Sequence, residues 1–233
     1  MAGVQSRPRS QPRVTESEQP ARRTGWLLWC GLALTAATLF LAFLLAFIKT
    51  RPALKPLPIY GQAADFTLTN QDGRAISLGD LRGHVWVADV IFTRCAGPCL
   101  KMTQQMKELQ EALPATSQAR LVTLTTDPEF DTPPVLKARA NQFRADPNRW
   151  LFLTGRKKQL MDLATGSLKL TAIENAPDKR ESPADLFIHS TIFVVMDKQA
   201  RLRGIFETTG DGVDPQQTQA EILAALRRLE RER

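Results

Sequence analysis

The chain has 233 residues, a formal net charge of +7 and three cysteines. Three cysteines exclude the disulfide framework that holds many small secreted domains together. The positive charge does not indicate a nucleic-acid partner, because residues 1–24 carry a net +3 and residues 49–55 another +3, which leaves +1 for the rest. No basic stripe with interleaved aromatic residues remains to bind phosphates.

An apolar run between basic residues indicates a membrane anchor. Residues 25–48 read GWLLWCGLALTAATLFLAFLLAFI, without a charge, and lie between Arg23 and Lys49. A helix of this length rises about 36 Å, which is enough to cross a hydrocarbon core of about 30 Å. The run is too long for the core of a signal peptide. We therefore expect an N-terminal transmembrane helix, in which Cys30 behaves as a small apolar residue.

The segments around this helix define the expected domain organisation. Residues 1–24 are rich in Arg, Ser, Gln and Pro and are predicted to form a disordered basic tail. Residues 49–61 contain three prolines, which is typical of a stiff linker. Residues 62–233 are long enough for one folded domain with a substantial core.

The basic residues also predict the orientation in the membrane. Five precede the span and three follow it, so the positive-inside rule places the tail in the cytoplasm. Glu16 and Glu18 make the tail unlike a mitochondrial presequence, which is poor in acidic residues. We expect a single-pass protein of the bacterial inner membrane with its C-terminal domain in the periplasm.

The remaining sequence alternates strand and helix patterns. The predicted elements in chain order are a hairpin (DFTLTNQDGRAISL), a buried strand (VWVADVIF), a helix (LKMTQQMKELQEAL), a strand (ARLVTLTT), a helix (PPVLKARANQF) capped by Asp131, a strand (WLFLT), a helix (RKKQLMDLATGSL), a hairpin (STIFVVMD and ARLRGIFE) and a final helix (PQQTQAEILAALRRLERER). This order predicts an α/β fold with a mixed central sheet and helices on both faces. Met102 and Met106 fall at helical spacing, so we interpret them as core residues rather than metal ligands.

The chemistry of the chain centres on Cys95 and Cys99, which lie where a buried strand runs into a helix. Pro98 is suited to the first helical turn, so Cys95 is predicted on the preceding loop and Cys99 in that turn. Their spacing allows about 6 Å between the residues, close enough for a disulfide or for one shared metal ion. Exposed N–H groups at the helix start are expected to favour the thiolate form.

Two histidines are candidates for a third ligand. His84 precedes the strand VWVADVIF, so about 26 Å of extended chain separates it from the cysteines, which follow that strand. His189 begins the strand STIFVVMD, and an antiparallel arrangement of the two strands places it beside Cys95 and Cys99. Two thiolates and one imidazole suit copper: Cu(I) with these three ligands, or Cu(II) with an added oxygen. Structural zinc normally needs four protein ligands, so it is the weaker interpretation.

Asp127 ends the strand LVTLTT, which a parallel arrangement brings to the same edge of the sheet. Its carboxylate is either a partner that hydrogen-bonds near the metal or orients His189, or an ordinary loop aspartate before Pro128. The residues leave both readings open.

These residues together resemble the SCO/SenC family, membrane-anchored thioredoxin-like proteins associated with cytochrome c oxidase assembly. The resemblance rests on DFTLTNQDGRAISLGDLRG, FTRCAGPC, TTDPEFDTPPVLKARA and IHSTIFVVMDKQARL and covers most of residues 60–233. It implies a thioredoxin-like fold with an added hairpin, copper ligation by Cys95, Cys99 and His189, and Asp127 nearby. Members usually carry an aromatic residue where Arg94 stands, and prolines where Ala96 and Leu100 stand.

Two functions are compatible with this pattern. The first, implied by the resemblance, is a copper chaperone that passes one ion to the dinuclear site of the copper-site subunit of cytochrome c oxidase. The second is an enzyme, a thiol–disulfide reductase in which Cys95 and Cys99 reduce disulfides of a partner. The usual reductase motif has two residues between its cysteines, whereas this chain has three, which favours metal binding. A dual role, in which the protein reduces the oxidase cysteines before loading them, stays open.

Overall fold

The computed structural model describes residues 21–49, 55–95, 97–174, 187–189 and 191–232. The chain divides into two compact units, Met1–Lys55 and Pro56–Arg233. Residues 1–20 of the predicted tail and residues 50–54 of the predicted linker lie outside the described residues, and the expected boundaries at residues 24, 48 and 61 stay predictions.

The described part of the first unit is one helix, α1, Ala21–Lys49. It begins four residues before the apolar run. Within it, Gly25–Phe47 is long and apolar enough to cross a membrane, and none of this segment is buried against protein. The hydroxyl groups of Thr35 and Thr38 donate to carbonyl oxygens one turn earlier, so these polar groups are satisfied within the helix, as a lipid environment requires.

The second unit is built around an eight-stranded sheet. Its elements in chain order are β1 Gly61–Gln62, β2 Thr67–Asn70, β3 Ala75–Ser77, α2 Leu78–Leu81, β4 Trp86–Ile91, α3 Pro98–Ala112, β5 Arg120–Thr125, α4 Pro133–Gln142, β6 Trp150–Thr154, α5 Lys157–Met161, β7 Ala172–Glu174, β8 Phe187–His189, β9 Ile192–Met196, β10 Arg201–Glu207 and α6 Pro215–Arg231. The strand order is β1-β10-β9-β4-β5-β6-β2-β3. The neighbours β4, β5 and β6 run parallel, and the other pairs in this sheet run antiparallel.

Helices cover both faces of this sheet, as the sequence predicts. Residues of α3, α4 and α6 pack with Val87 and Ile91 of β4 on one face, whereas residues of α2 and α5 pack with Trp86, Ala88 and Val90 on the other. Because successive side chains of a strand point to opposite faces, a fully buried β4 serves both cores. The side chains of Met102 and Met106 are fully buried in the first core, which agrees with their interpretation as core residues.

Three features differ from the predicted elements. The helix after β6 continues as a π-helix over Asp162–Ser167. The short strands β7 and β8 form a separate two-stranded sheet that strand periodicity did not indicate. β1 pairs with β10, and Arg203 donates to the carbonyl oxygen of Leu57 at 2.8 Å, so the end of the segment interpreted as a linker is bound to the folded unit.

Candidate metal centre

The two cysteines lie where the central strand meets a helix, as predicted. β4 ends at Ile91. Residues 92–95 then form a turn, called the cysteine turn below, in which the Cys95 N–H donates to the carbonyl oxygen of Phe92 at 3.2 Å. Helix α3 then begins at Pro98 with Gly97 as its N-cap residue, which places Cys99 in the first turn. Proline fits this position because its fixed φ suits a helix and its missing N–H would be unbonded there anyway.

Both thiols are buried, with 6 % of Cys95 and 2 % of Cys99 exposed. A hydrogen bond with the Cys95 side chain is the largest of the effects that raise the pKa of Cys99 well above its usual range, and burial is the next. The expectation that the helix start favours a thiolate is therefore wrong for Cys99 in the metal-free, reduced protein. A soft cation bound by both sulfurs would displace the proton of each thiol and stabilise the thiolates, because only deprotonated thiols ligate metals.

A carboxyl group in the central strand contributes to this environment. Asp89 lies in the middle of β4 with no exposed surface, and its negative charge is one of the smaller effects that raise the pKa of Cys99. Sequence motifs alone did not single out Asp89. The signal that marks it is a lone charged residue in a strand that is otherwise apolar.

The backbone of His189 follows a different course from the one expected. It ends the short strand β8, opposite Ala172 of β7. The strand predicted over STIFVVMD is β9, which starts at Ile192 and does not include His189. The antiparallel pairing of Ala88 with Val194 nevertheless places the start of β9 at the end of β4 from which the cysteine turn emerges. The side chain of His189 lies outside the described part of the structure, so its role as a ligand stays a prediction.

The other histidine is far from the cysteines, as predicted. His84 precedes β4, and its Nδ1 lies 3.0 Å from the carbonyl oxygen of Gln118. The full length of β4 separates it from Cys95. Among the side chains that the structure describes, no group of three metal-binding residues is assembled, and the His189 imidazole is not one of those side chains.

Asp127 lies at the predicted edge, because β5 runs parallel to β4 with Thr125 opposite Ile91. Its carboxylate Oδ2 accepts from Nη2 of Arg94 at 2.5 Å and from Nε at 3.1 Å. Arg94 directly precedes Cys95. The contact that the structure describes is thus with the cysteine turn, and a contact of Asp127 with His189 stays a prediction.

Asp131 is not the cap of α4. Thr132 holds the N-cap position, and the Asp131 carboxylate accepts from the Thr93 N–H at 3.0 Å, from the Thr93 hydroxyl, and from Thr125 Oγ1 at 2.5 Å. Burial raises the pKa of Asp131, although the hydrogen bonds from Thr125 and Thr93 oppose it. Thr93 and Arg94, next to each other in the cysteine turn, are therefore each held by a buried aspartate from the segment after β5.

A parallel β4–β5–β6 core with a dithiol where the central strand runs into α3 defines a thioredoxin-like domain. The model of the SCO1/SenC family matches residues 60–229, so the chain belongs to the SCO1/SenC family. That match spans most of the folded unit, including the cysteine turn and His189.

Individual relatives agree with this assignment. The chain is 35 % identical over 147 residues to the SCO1 protein homolog of Bacillus subtilis (strain 168), covering 62 % of this chain and 73 % of that protein. It is 31 % identical over 141 residues to a Stutzerimonas stutzeri protein named for copper binding, covering 59 % and 65 %. The structure of BsSco, described as a Sco-family cytochrome c oxidase assembly protein with a disulfide switch, superposes with a TM-score of 0.60 at 27 % identity, covering 74 % and 98 %.

Proposed function

We propose that this protein is a membrane-anchored copper chaperone. It binds one copper ion with Cys95, Cys99 and His189 and delivers it to the dinuclear copper site of the copper-site subunit of cytochrome c oxidase. The observation that carries the proposal is the pair of buried thiols at the start of α3, with Cys95 in the preceding turn and Cys99 in the first helical turn. Two adjacent sulfur ligands select a soft or borderline cation over the hard cations that prefer oxygen.

The course of the backbone supports His189 as the third ligand. Only two residues lie between His189 and Ile192, the first residue of β9, and three residue steps along the chain span at most about 10 Å. That strand starts at the same end of the sheet as the cysteine turn. An imidazole added to two thiolates completes a three-coordinate set that Cu(I) accepts.

Copper is the cargo in this proposal, and its transfer is a ligand exchange. The ion leaves the two sulfurs and the imidazole as ligands of the recipient replace them, and the thiols of this chain take up protons. The copper ion neither gains nor loses an electron in this step. Helix α1 fits an inner-membrane anchor that holds the folded unit in the periplasm, where the recipient's copper site would be accessible.

Copper titration of the full chain in detergent tests the proposal. The reduced protein is titrated with Cu(I) in competition with a chromophoric Cu(I) chelator, and bound copper is counted after desalting. We expect one tightly bound ion in the wild type, loss of tight binding in Cys95→Ser and His189→Ala, and unchanged binding in the matched controls Cys30→Ser and His84→Ala. Wild-type protein that binds no copper, or His189→Ala that binds it as tightly as wild type, contradicts the proposal.

A thiol–disulfide reductase is the second candidate, favoured by the burial of both thiols at one strand–helix junction. One sulfur, as thiolate, attacks a disulfide of the partner and releases one partner thiol. The other sulfur then attacks the mixed disulfide, releases the second thiol, and leaves Cys95 joined to Cys99, so two electrons pass to the partner. Negligible copper binding together with rapid reduction of a disulfide substrate by wild type, but not by Cys99→Ser, would favour this candidate over the chaperone.

A further inference from the structure

Two neighbouring side chains restrain Arg94, the residue before Cys95. The Arg94 guanidinium donates through Nε and Nη2 to one carboxylate oxygen of Asp127, and its Cζ lies 4.5 Å from the centroid of the Phe130 ring. An arginine that is hydrogen-bonded along its edge and covered on its planar face loses most of its freedom to rotate. The backbone of Arg94 is continuous with that of Cys95, so this restraint acts one residue from a sulfur.

The partners of Arg94 are themselves fixed. The N–H groups of Phe130 and Asp131 donate to the carbonyl oxygen of Asp127 at 3.2 and 2.8 Å, and the Asp127 N–H donates to Thr125 Oγ1 at 3.0 Å. The segment that receives Arg94 is therefore a rigid tight turn at the end of β5.

Burial distinguishes this ion pair from an ordinary surface pair. The Asp127 side chain is only 7 % exposed, whereas that of Arg94 is 31 % exposed. Exposed pairs contribute little to stability, but a carboxylate with so little access to water depends on its cation. Arg94 thus serves Asp127 as a counter-charge and, through Asp127, fixes the cysteine turn.

We propose that Arg94 is a positioning residue for Cys95, which it holds at a set distance from Cys99 through its contacts with Asp127 and Phe130. Of the two readouts described below, only the Cu(I) dissociation constant rests on the proposed copper-binding function. With the turn held, the two sulfurs keep the separation that one metal ion or one disulfide requires. With the turn released, Cys95 moves away from Cys99, so both bridging states are weakened.

The test compares Arg94→Met and Arg94→Lys with wild type, using the full chain in detergent. Removing a residue that orients a ligand typically weakens metal affinity about 10- to 100-fold, so we expect an increase of that size in the Cu(I) dissociation constant of Arg94→Met. Arg94→Lys keeps the charge but not the planar fork, and we expect it to restore binding in part. Arg82→Met is the matched control, because Arg82 also pairs with a carboxylate, Asp65, but is more than half exposed.

A second readout does not use copper. In glutathione buffers, the equilibrium constant for forming the Cys95–Cys99 disulfide reports how often the two sulfurs meet. We expect this constant to fall several-fold in Arg94→Met, to recover partly in Arg94→Lys, and to stay unchanged in Arg82→Met. A general loss of stability would not produce this shift while circular dichroism shows the variant fully folded at the temperature used.

A double-mutant cycle tests whether Arg94 acts on Cys95 through Asp127. If Arg94 acts through Asp127, the effects of Arg94→Met and Asp127→Asn are not additive in the combined variant.

Two outcomes overturn the inference. The first is folded Arg94→Met protein with wild-type copper affinity and wild-type disulfide equilibrium. The second is failure of both Arg94 variants to fold, because the residue then supports the fold as a whole. Absence of copper binding in wild type contradicts the chaperone alone, since the disulfide readout still tests Arg94.

Discussion

Buried aspartates distant in sequence determine the conformation of the turn before Cys95. Thr93 is bound by Asp131, 38 residues later, and Arg94 by Asp127, 33 residues later. Arg139 adds a third restraint by donating to the Thr93 carbonyl oxygen. The Cys95 N–H also donates to the carbonyl oxygen of Phe92 within the turn, and the side chains of Asp127, Asp131 and Arg139 add rigidity to it.

Asp131→Ala tests the contribution of one of these aspartates to stability. The substitution leaves the Thr93 N–H and the hydroxyls of Thr93 and Thr125 without their acceptor. An unsatisfied buried polar group costs about 1–3 kcal/mol, so we expect the free energy of unfolding to fall by about 2–4 kcal/mol in total. Denaturant unfolding of the full chain in detergent, followed by tryptophan fluorescence, measures this change.

Two variants complete this measurement. Asp131→Asn keeps an acceptor oxygen and is expected to lose less stability than Asp131→Ala. Asp162→Ala removes a carboxylate from an exposed i,i+4 pair with Lys158, so its stability should change by less than about 0.5 kcal/mol. Equal stability of Asp131→Ala and Asp162→Ala would show that the buried hydrogen bonds do not support the turn.

At the scale of elements, sequence patterns identified the helices and strands in which buried residues recur at a regular spacing. The hairpin of β2 and β3 turns at the predicted position, with Leu68 opposite Ile76. The last helix, α6, begins at Pro215, and its N-cap residue Asp214 accepts from the N–H groups of Gln216 and Gln217. The short strands β1, β7 and β8 lack such a pattern. They are recognised as strands only because they pair with strands elsewhere in the chain.

Asp214→Ala tests the cap of α6. The substitution removes the acceptor for two N–H groups at the helix start, and loss of an N-cap side chain typically costs about 1 kcal/mol. We expect a decrease of that size in the free energy of unfolding, measured by denaturant titration. Asp211→Ala serves as the control because Asp211 is exposed and lies outside the helix. A decrease of the same size in the control would attribute the effect to net charge instead of to capping.

On the scale of the whole folded unit, one buried ion cluster joins three distant parts of the chain. The guanidinium of Arg203 donates to the carboxylate of Asp197 at 2.7 Å and to the carbonyl oxygen of Leu57, and it pairs with Glu232 at 3.0 Å. The hairpin of β9 and β10, the entry into the folded unit and the chain end are thereby tied together. Because Met196 pairs with Trp86 at the start of β4, the cluster lies at the end of the sheet opposite to the cysteine turn.

The cluster predicts a pH dependence of stability. Burial by itself would raise the pKa of Asp197, but hydrogen bonds from the Arg201 backbone and from Arg203 and Arg201 side chains outweigh it, and the pKa lies below its ordinary 3.8. The carboxylate's contribution to stability is therefore fully present above about pH 4 and is lost as the pH falls through the folded-state pKa. We expect Asp197→Asn to be less stable than wild type at pH 6, with a smaller further loss on acidification.

The measurement is the free energy of unfolding at pH 6 and at several values below pH 4. Asp146→Asn is a suitable control, because Asp146 is exposed and lies outside the cluster. Parallel acid profiles for wild type and Asp197→Asn would show that the cluster does not contribute to acid sensitivity.

The amino-acid sequence by itself determined the N-terminal apolar helix, the α/β class and the position of both cysteines at a strand–helix junction. The apolar helix follows from the length of one uncharged run, and the other two follow from hydrophobic periodicity or turn residues within a window of about 11–18 residues. The separation of His84 from the cysteines follows as well, since a strand of known length lies between them.

Only the tertiary structure decided which side chains surround the thiols. The pairing of Arg94 with Asp127, the role of Asp131 in the turn rather than at a helix cap, and the raised pKa of Cys99 all depend on contacts between residues brought together by strand pairing and burial. Local patterns carry no record of such contacts, because the same aspartate can cap a helix or accept from a distant turn, depending on what the fold places beside it.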